Sequence, residues 1–144
     1  MASRWEDIRA AVTTAVEALT PENDAGVTYH EAKTDSVLSG VSSRRAFWQE
    51  PPQALLMSEQ SSDTITIRYS WALIVILRPD IASKPDFADA CATEALNITR
   101  AILTLAPTTG AQPIIVPSWS VAEGASPDEI EIAINLVSEI QEVL

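Results

Sequence analysis

Few side chains in this sequence are of the types that carry out catalysis. His30 is the single histidine and Cys91 the single cysteine of the 144 residues. A Ser-His-Asp or Cys-His site would have to use His30, which lies in a weak strand between Tyr29 and Glu31. Cys91 falls on the apolar stripe of a predicted helix, where a buried thiol is inert. We therefore interpret His30 as a half-exposed strand residue and Cys91 as a structural one.

Cofactor and metal sites lack their usual residues as well. A zinc site needs several Cys or His ligands, and the chain has one of each. Asp86 and Asp89 fall in the first turn of a predicted helix, where carboxylates stabilise the helix dipole. With four glycines, the chain has neither a phosphate-binding loop nor a dinucleotide motif. The sequence predicts no enzyme, cofactor or metal. A carboxylate site of unrecognised type is the enzymatic alternative, supported only by the number of acids.

The charge of the chain is strongly negative and unevenly distributed. The formal net charge is −11, and residues 1–100 hold all nine basic groups. Residues 101–144 hold six acids and no Lys or Arg. Specific binding to nucleic acid is not expected, because phosphate contacts need clustered basic groups. The acidic C-terminal third is interpreted either as ordinary solubility charge or as a functional acidic face.

Length and hydropathy predict one domain, residues 1–144, with no membrane partner. The longest apolar run, from Trp71 to Leu77, is far shorter than the ~20 residues that a membrane-spanning helix needs. The N-terminal stretch from Arg4 to Leu19 is amphipathic and lacks the apolar block of a signal peptide. We expect the protein to be made and kept in the cytoplasm.

Apolar spacing predicts two helices and several strands. The first helix is predicted at 4–19, with Ser3 and Glu6 as a capping box. The second opens near Ser83, and its core stripe is Phe87, Cys91, Ala95, Ile98 and Ile102, widened by Leu96 and Leu103. Shorter strands are predicted at 27–32, 44–49, 54–58 and 114–121. Pro117 places the last of these at a sheet edge or at a bulge. No conformation is assigned to the loop 33–43.

Residues 128–142 fit either a strand or a helix. Ser126-Pro127-Asp128-Glu129 could cap a helix. Isoleucines at alternate positions from Ile130, and their β-branched side chains, favour a strand. We favour the strand.

Residues 64–78 predict one unusually long strand. Every odd position from Ile65 to Leu77 is apolar, which is the period of a strand. The second half is apolar at even positions too, so both of its faces should be covered. Fifteen strand residues reach ~50 Å, whereas a domain of this size is ~37 Å across. The strand therefore bends near Tyr69, or its first half projects as a hairpin. The predicted fold is α+β: a mixed, mainly antiparallel sheet with two main helices packed on it.

Basic and aromatic residues supply the candidate contacts with other subunits or partners. Arg44-Arg45 stand beside Phe47-Trp48, and Arg and Trp are enriched at binding hot spots. The alternative is that Phe47 and Trp48 are core residues and that the arginines pair with acids. Trp119 is a core residue or a contact residue. The candidate interface consists of Arg44, Arg45, Trp48, Arg68, Tyr69 and Trp119.

The order of these features resembles the tail-terminator, or tail-completion, proteins of long-tailed bacteriophages. The resemblance rests on the N-terminal amphipathic helix, the stretch Ser43-Arg44-Arg45-Ala46-Phe47-Trp48 and the strand Pro52-Gln53-Ala54-Leu55. The long strand, the helix after it and two C-terminal strands complete it, so it spans nearly the whole chain. The stretch before Ser43 is longer and richer in serine than the family pattern.

The resemblance implies a non-enzymatic virion protein. Such a protein forms a homo-oligomeric ring, a hexamer, that caps the tail tube and stops its polymerisation. It joins the tube to the head-completion or neck proteins, while DNA passes through without specific binding. It would act in the tail and neck of the virion and, during assembly, in the host cytoplasm. The hairpin 53–78 would lie near the subunit contact. A small acidic dimeric secretion chaperone that binds an extended partner is the alternative.

Overall fold

The computed structural model describes residues 4–21, 29–31, 45–60, 63–77, 87–105, 113–123 and 129–143. Within these residues the chain forms two helices and a six-stranded sheet. The helices are α1 (Arg4–Glu17) and α2 (Phe87–Leu103). The strands are β1 (His30–Glu31), β2 (Arg45–Gln49), β3 (Gln53–Gln60), β4 (Thr64–Leu77), β5 (Ile115–Glu123) and β6 (Ile130–Val143). The predicted α+β class is confirmed.

The sheet is mixed and mainly antiparallel, as predicted. Its strand order is β1-β2-β4-β6-β5, and β3 pairs with β4 beside β2. Only β1 and β2 are parallel among these pairs. β4 and β6 pair over fourteen residues each, from Thr64↔Val143 to Leu77↔Ile130. This long ladder is the centre of the sheet.

The long strand β4 is flanked along both sides. β6 covers one side over its whole length. On the other side, β3 pairs with residues 65–70 and β2 pairs with residues 73–77. The first half of β4 is therefore the middle of a three-stranded ribbon rather than one arm of a free hairpin. The second half, Leu73–Leu77, is buried at every position, which confirms that both of its faces are covered.

The two helices lie on one face of the sheet and form the core with it. α1 buries Trp5, Ile8, Val12 and Val16, and α2 buries Cys91, Ala95, Ile98 and Ile102. These positions recur every three or four residues and meet the inward side chains of β4 and β6. Leu96 and Leu103 do not widen the stripe of α2 as predicted, because both are exposed. Leu96 follows the buried Ala95 by one residue, which turns it ~100° around the helix. The side chain of Phe87 lies outside the described residues.

The C-terminal segment is a strand. Ile132, Ile134 and Leu136 of β6 are buried on the helix side, and the residues between them are only partly buried. That period of two settles the choice between strand and helix. β5 is an edge strand, and its register shifts between Ile115 and Ser118, around Pro117. The predicted edge and bulge are both confirmed.

Several predictions fall wholly or partly outside the described residues. They are the loop 33–43, the Ser3 half of the capping box, the opening of the second helix near Ser83 and most of the strand 27–32. Neither of the two described helices has both the length and the apolar character that crossing a membrane requires.

Candidate interaction surface

The inward face of β2 carries two polar residues that hold the helices. Arg45, Phe47 and Gln49 alternate along β2 and all three are buried. Arg45 donates from Nε to Glu94 Oε1 at 2.6 Å and from Nη2 to Glu94 Oε2 at 3.0 Å. Tyr29 Oη donates to the same Oε1 at 2.6 Å. This cluster of Tyr29, Arg45 and Glu94 joins β2 to α2 and to the residue that precedes β1.

Burial and charge keep the hydroxyl of Tyr29 in this cluster protonated. Arg45 is 3% exposed and Glu94 is 1% exposed, so the pair is shielded from solvent. Burial and then the charge of Glu94 raise the pKa of the Tyr29 hydroxyl, which therefore stays a donor near neutral pH. The Glu94 carboxylate thus accepts three hydrogen bonds, two from the arginine and one from the tyrosine. All three side chains of the cluster are buried, and their hydrogen bonds link β2 to α2.

Gln49 joins β2 to α1 by hydrogen bonds, as Arg45 joins β2 to α2. Its Nε2 donates to the main-chain oxygen of Arg9 at 2.9 Å and to Thr13 Oγ1 at 2.9 Å. Its Oε1 accepts from Trp71 Nε1 at 2.9 Å. Because a buried amide needs partners for both of its ends, Gln49 sets the position of α1 along β2 and β4.

The N-terminal end of α1 is held by β6. Glu142 accepts from the main-chain N–H groups of Trp5 at 3.1 Å and Arg4 at 3.3 Å. A carboxylate at this end satisfies N–H groups that the helix leaves free and also interacts favourably with the helix dipole. The Trp5 ring stacks on Tyr69, with 5.2 Å between centroids, and meets Trp71 edge-on at 4.5 Å. The first turn of α1 is thereby attached to β4 and β6.

Three of the six predicted contact residues make contacts within the chain. Arg45 was a candidate contact residue, and this is corrected, because it is buried against Glu94. The alternative, an arginine paired with an acid beside a core Phe47, describes it instead. Trp48 is half-buried on the opposite face of β2, and its Nε1 donates to Glu50 at 3.3 Å. Tyr69 is half-buried beneath Trp5. Arg44 lies outside the described residues.

Arg68 and Trp119 have surface to offer a partner, but on opposite faces of the sheet. Arg68 is exposed and lies across from Glu139 on the face away from the helices. Trp119 pairs with Ile134, whose side chain faces the helices, and is 37% exposed. The predicted interface residues therefore do not form one patch.

Three exposed large apolar side chains lie on β5. Ile115 is 58% exposed and Val121 is 44% exposed, in addition to Trp119. We call Ile115, Trp119 and Val121 the β5 edge. Within the described residues no strand pairs with the outer side of β5. Sequence reasoning selected only Trp119. Pro117 inside an apolar strand was the available signal, since it marks an edge whose side chains lack a second neighbour.

The described residues bear on two kinds of chemistry, metal binding and nucleophilic attack by a thiol. Within them no cluster of three His, Cys, Asp or Glu residues could hold a metal ion. Cys91 is buried, and burial, followed by the charge of Glu94, raises the pKa of its thiol to about 11, against the reactivity of a nucleophile. Comparisons with protein-family models and with curated proteins found no match to this chain.

Proposed function

We propose that the protein is a non-enzymatic assembly protein of a bacteriophage tail, of the tail-terminator type. In this role it forms a homo-oligomeric ring, a hexamer, that caps the tail tube, stops its polymerisation and joins it to the head-completion proteins. The observation that carries the proposal is the β5 edge: an edge strand with three exposed apolar side chains, one of them a tryptophan. Such a strand promotes aggregation when it is exposed on an isolated subunit, and it contributes to binding when an assembly covers it.

The position of the β5 edge suits a ring. Rings are closed by heterologous contacts, in which one surface of a subunit meets a different surface of the next. β5 ends the sheet on one side, whereas β1 and β3 lie on the other side of β4. Trp119 on one face of β5 and Ile115 on the other can enter pockets of a neighbour, where buried aromatic anchors contribute most to binding.

The charge of the chain supports passage of DNA without binding. Each subunit carries a net charge of −11, and a ring of such subunits multiplies this charge around its axis. A negative lumen repels phosphates and lets DNA slide through without adhering to it. In this proposal the protein resides in the tail and neck of the virion, after assembly in the host cytoplasm.

The deciding experiment changes the β5 edge and measures assembly. We expect the unaltered chain to form rings at high concentration or on addition of tail-tube protein. The double variant Trp119→Ser, Val121→Thr should keep its fold and lose the rings. The matched control Leu96→Ser, Leu103→Thr removes two leucines of α2 that are equally exposed. It should assemble normally. Mass photometry and negative-stain images distinguish the three proteins.

Two outcomes would contradict the proposal. One is a chain that stays monomeric at high concentration and forms no ring with tail-tube protein. The other is loss of assembly in the control variant to the same degree as in the β5 variant. A stable dimer that ignores tail-tube protein and co-purifies with a secreted protein would support the secretion chaperone instead.

A further inference from the structure

Trp119 is the exposed tryptophan of the chain. Trp5 and Trp71 are buried and Trp48 is half-buried. The indole N–H groups of Trp48 and Trp71 donate to side chains of β2 and of the turn after it. The indole N–H of Trp119 has no acceptor among the described residues. Trp119 thus has both an apolar ring and a hydrogen-bond donor available for a second molecule.

A cleft lies where β5 begins, on the face of the sheet away from the helices. Its volume is about 450 Å³. Ile115 and Val137 face each other there as a cross-strand pair. Arg68 and Glu139 are a cross-strand pair two residues further along β4 and β6. Among the described residues, the lining consists of Arg68, Pro113, Ile115, Val137, Ser138 and Glu139. The cleft therefore has an apolar floor with one basic and one acidic side chain at its margin.

Arg68 and Glu139 are available to a third group. They are cross-strand partners and both are exposed, yet within the described residues neither takes part in a hydrogen bond or an ion pair. A guanidinium packs favourably on the face of an aromatic ring, and a carboxylate accepts from an N–H group. An indole uses both, because its face attracts the cation and its N–H donates to the anion.

The volume of the cleft is large enough for an indole. A cavity of ~150 Å³ holds one benzene molecule, and an indole is about half as large again. A cleft of about 450 Å³ thus admits the ring of Trp119 together with a second apolar side chain from the same strand. Val121 is such a side chain, since it lies on the same face of β5 as Trp119 and is exposed.

Trp119 and the cleft lie on opposite faces of the sheet. Trp119 pairs with Ile134, whose side chain faces the helices, whereas Ile115 pairs with Val137 on the other face. A subunit therefore cannot place its own Trp119 in its own cleft. A two-fold pair brings one patch against the same patch of its partner, so it does not join features on opposite faces. A head-to-tail contact does join them, and when it is repeated around an axis it closes a ring.

We propose that Trp119 of each subunit enters the cleft of the next subunit. The indole is buried against Ile115 and Val137, its face packs on the guanidinium of Arg68, and its N–H donates to Glu139. The cleft is then the surface of the neighbour that receives the β5 edge, in a contact that rests on the ring proposed above. Burial of the ring supplies most of the affinity, and the two charged side chains determine its orientation.

Two variants that each lack one half of the contact provide the test. Trp119→Ser removes the ring and keeps the cleft, whereas Val137→Lys fills the cleft and keeps the ring. We expect each variant alone to be monomeric in sedimentation velocity. An equimolar mixture should form a dimer that does not grow further, because it contains one complete contact. Self-association of either variant should be at least about thirtyfold weaker than association between the two, which is the effect of a hot-spot residue.

A second lysine variant is the matched control. Val143 lies on the same strand and the same face as Val137 and is 65% exposed. Val143→Lys changes the net charge as Val137→Lys does but leaves the cleft open. It should associate as the unaltered chain does.

Fluorine NMR assigns the contact to Trp119. The Val137→Lys chain is labelled with fluorotryptophan and mixed with the unlabelled Trp119→Ser chain. The resonance of Trp119 should shift, and those of the three other tryptophans should stay in place. The shift also shows that the Trp119→Ser chain is folded, since binding of the ring needs an intact cleft.

The same measurement tests the part played by Arg68. Arg68→Gln in the unlabelled chain should weaken binding about fivefold, because the cation on the face of the ring is lost. Arg9→Gln, at an exposed position of α1, changes the net charge equally and should weaken binding by less than about twofold.

Two results would overturn this contact. One is a mixture that dimerises no better than either variant alone. The other is a loss of association in Val143→Lys equal to that in Val137→Lys. Rings that form with tail-tube protein although the mixture stays monomeric would leave the proposed function in place and assign the receiving surface elsewhere. A mixture that dimerises, from a chain that forms no ring with tail-tube protein, would support the contact and contradict the proposed function.

Discussion

At the scale of single residues, the buried pair of Arg45 and Glu94 is the feature most open to test. A paired charge taken out of water is costly, and removing one partner leaves the other uncompensated. The pair has Tyr29 as a third member, and all three are buried. The contribution of the pair to the free energy of unfolding is therefore measured by removing first one charge and then both, while an oxygen is kept for the hydrogen bond from Tyr29.

We expect Glu94→Gln to lower the free energy of unfolding by about 3 kcal/mol, because the amide keeps an oxygen for Tyr29 but removes the negative charge that faces the buried guanidinium of Arg45. The double variant Arg45→Met, Glu94→Gln removes that charge and should recover at least half of the loss. Urea unfolding followed by tryptophan fluorescence measures both. A double variant that is less stable than Glu94→Gln would mean that the arginine contributes through packing rather than charge.

Cys91 gives a pH-dependent prediction at the same scale. Burial and the charge of Glu94 raise the pKa of its thiol from 9.0 to about 11. A raised pKa in the folded state means that the thiol adds stability below pH 9 that is lost as the pH rises through about 11. We expect the stability of Cys91→Ala to fall less steeply than that of the unaltered chain between pH 9 and 11. Equal slopes for the two proteins, from chemical denaturation at each pH, would contradict this prediction.

The sequence was informative about residue types and uninformative about residue partners. Arg45 stood out beside Phe47 and Trp48, but its partner Glu94 is 49 residues away along the chain. Alternation along β2 could have placed Arg45 and Phe47 on one face, inward. The sequence does not show which helix covers that face. An arginine at this position gives the same alternation whether its side chain is buried or exposed. For His30 and Cys91, residue type and position in the sequence were enough for the interpretation given above.

At the scale of elements, β2 and β6 determine where the helices lie. Arg45 and Gln49 of β2 hold α2 and α1, and Glu142 of β6 holds the first turn of α1. Each link joins segments far apart in the chain, so a helix cannot shift without breaking it. The core stripes supply the driving force for packing, and these polar links choose one position among several with similar apolar contact.

Removal of the charge at Glu142 tests the link to α1. We expect Glu142→Gln to lower the free energy of unfolding by about 1 kcal/mol, since a carboxylate at a helix N-terminus both accepts hydrogen bonds and interacts favourably with the helix dipole. Glu139→Gln is the matched control on the same strand, with an exposed carboxylate, and should change stability by less than about 0.5 kcal/mol. Hydrogen exchange should quicken in the first turn of α1 only in Glu142→Gln. A similar loss in both variants would show that the effect is one of net charge.

Helices and strands with a clear apolar period were predictable from the sequence. The strands that pair with each of them in the sheet were not. The stripe of α1, the alternation in β4 and the bulge at Pro117 were all visible in the sequence. The first half of β4 is not one arm of a free hairpin, because β3 and β2 pair with its two halves on one side and β6 pairs with it on the other. Leu96 was misplaced because a helix stripe has a definite width, which hydrophobicity alone does not give.

At the scale of the whole molecule, a strongly negative net charge is combined with exposed apolar side chains on β5. In the proposed assembly this charge keeps subunits apart, whereas the β5 edge offers contacts. In this proposal the balance between repulsion and apolar contact determines the conditions under which the protein would assemble. A partner that neutralises acidic side chains, or a template that holds subunits side by side, would favour assembly.

Salt is the simplest means of testing this balance. Repulsion between subunits of net charge −11 extends ~30 Å at 0.01 M salt and ~8 Å at 0.15 M. Contacts through Ile115, Trp119 and Val121 are apolar and do not weaken with salt. We therefore expect the self-association constant, from sedimentation equilibrium, to rise severalfold between these conditions. The variant Trp119→Ser, Val121→Thr should show little association at either one. A constant that falls with salt would mean that ion pairs, rather than the β5 edge, join the subunits, and candidates such as Arg68 would then carry the contact.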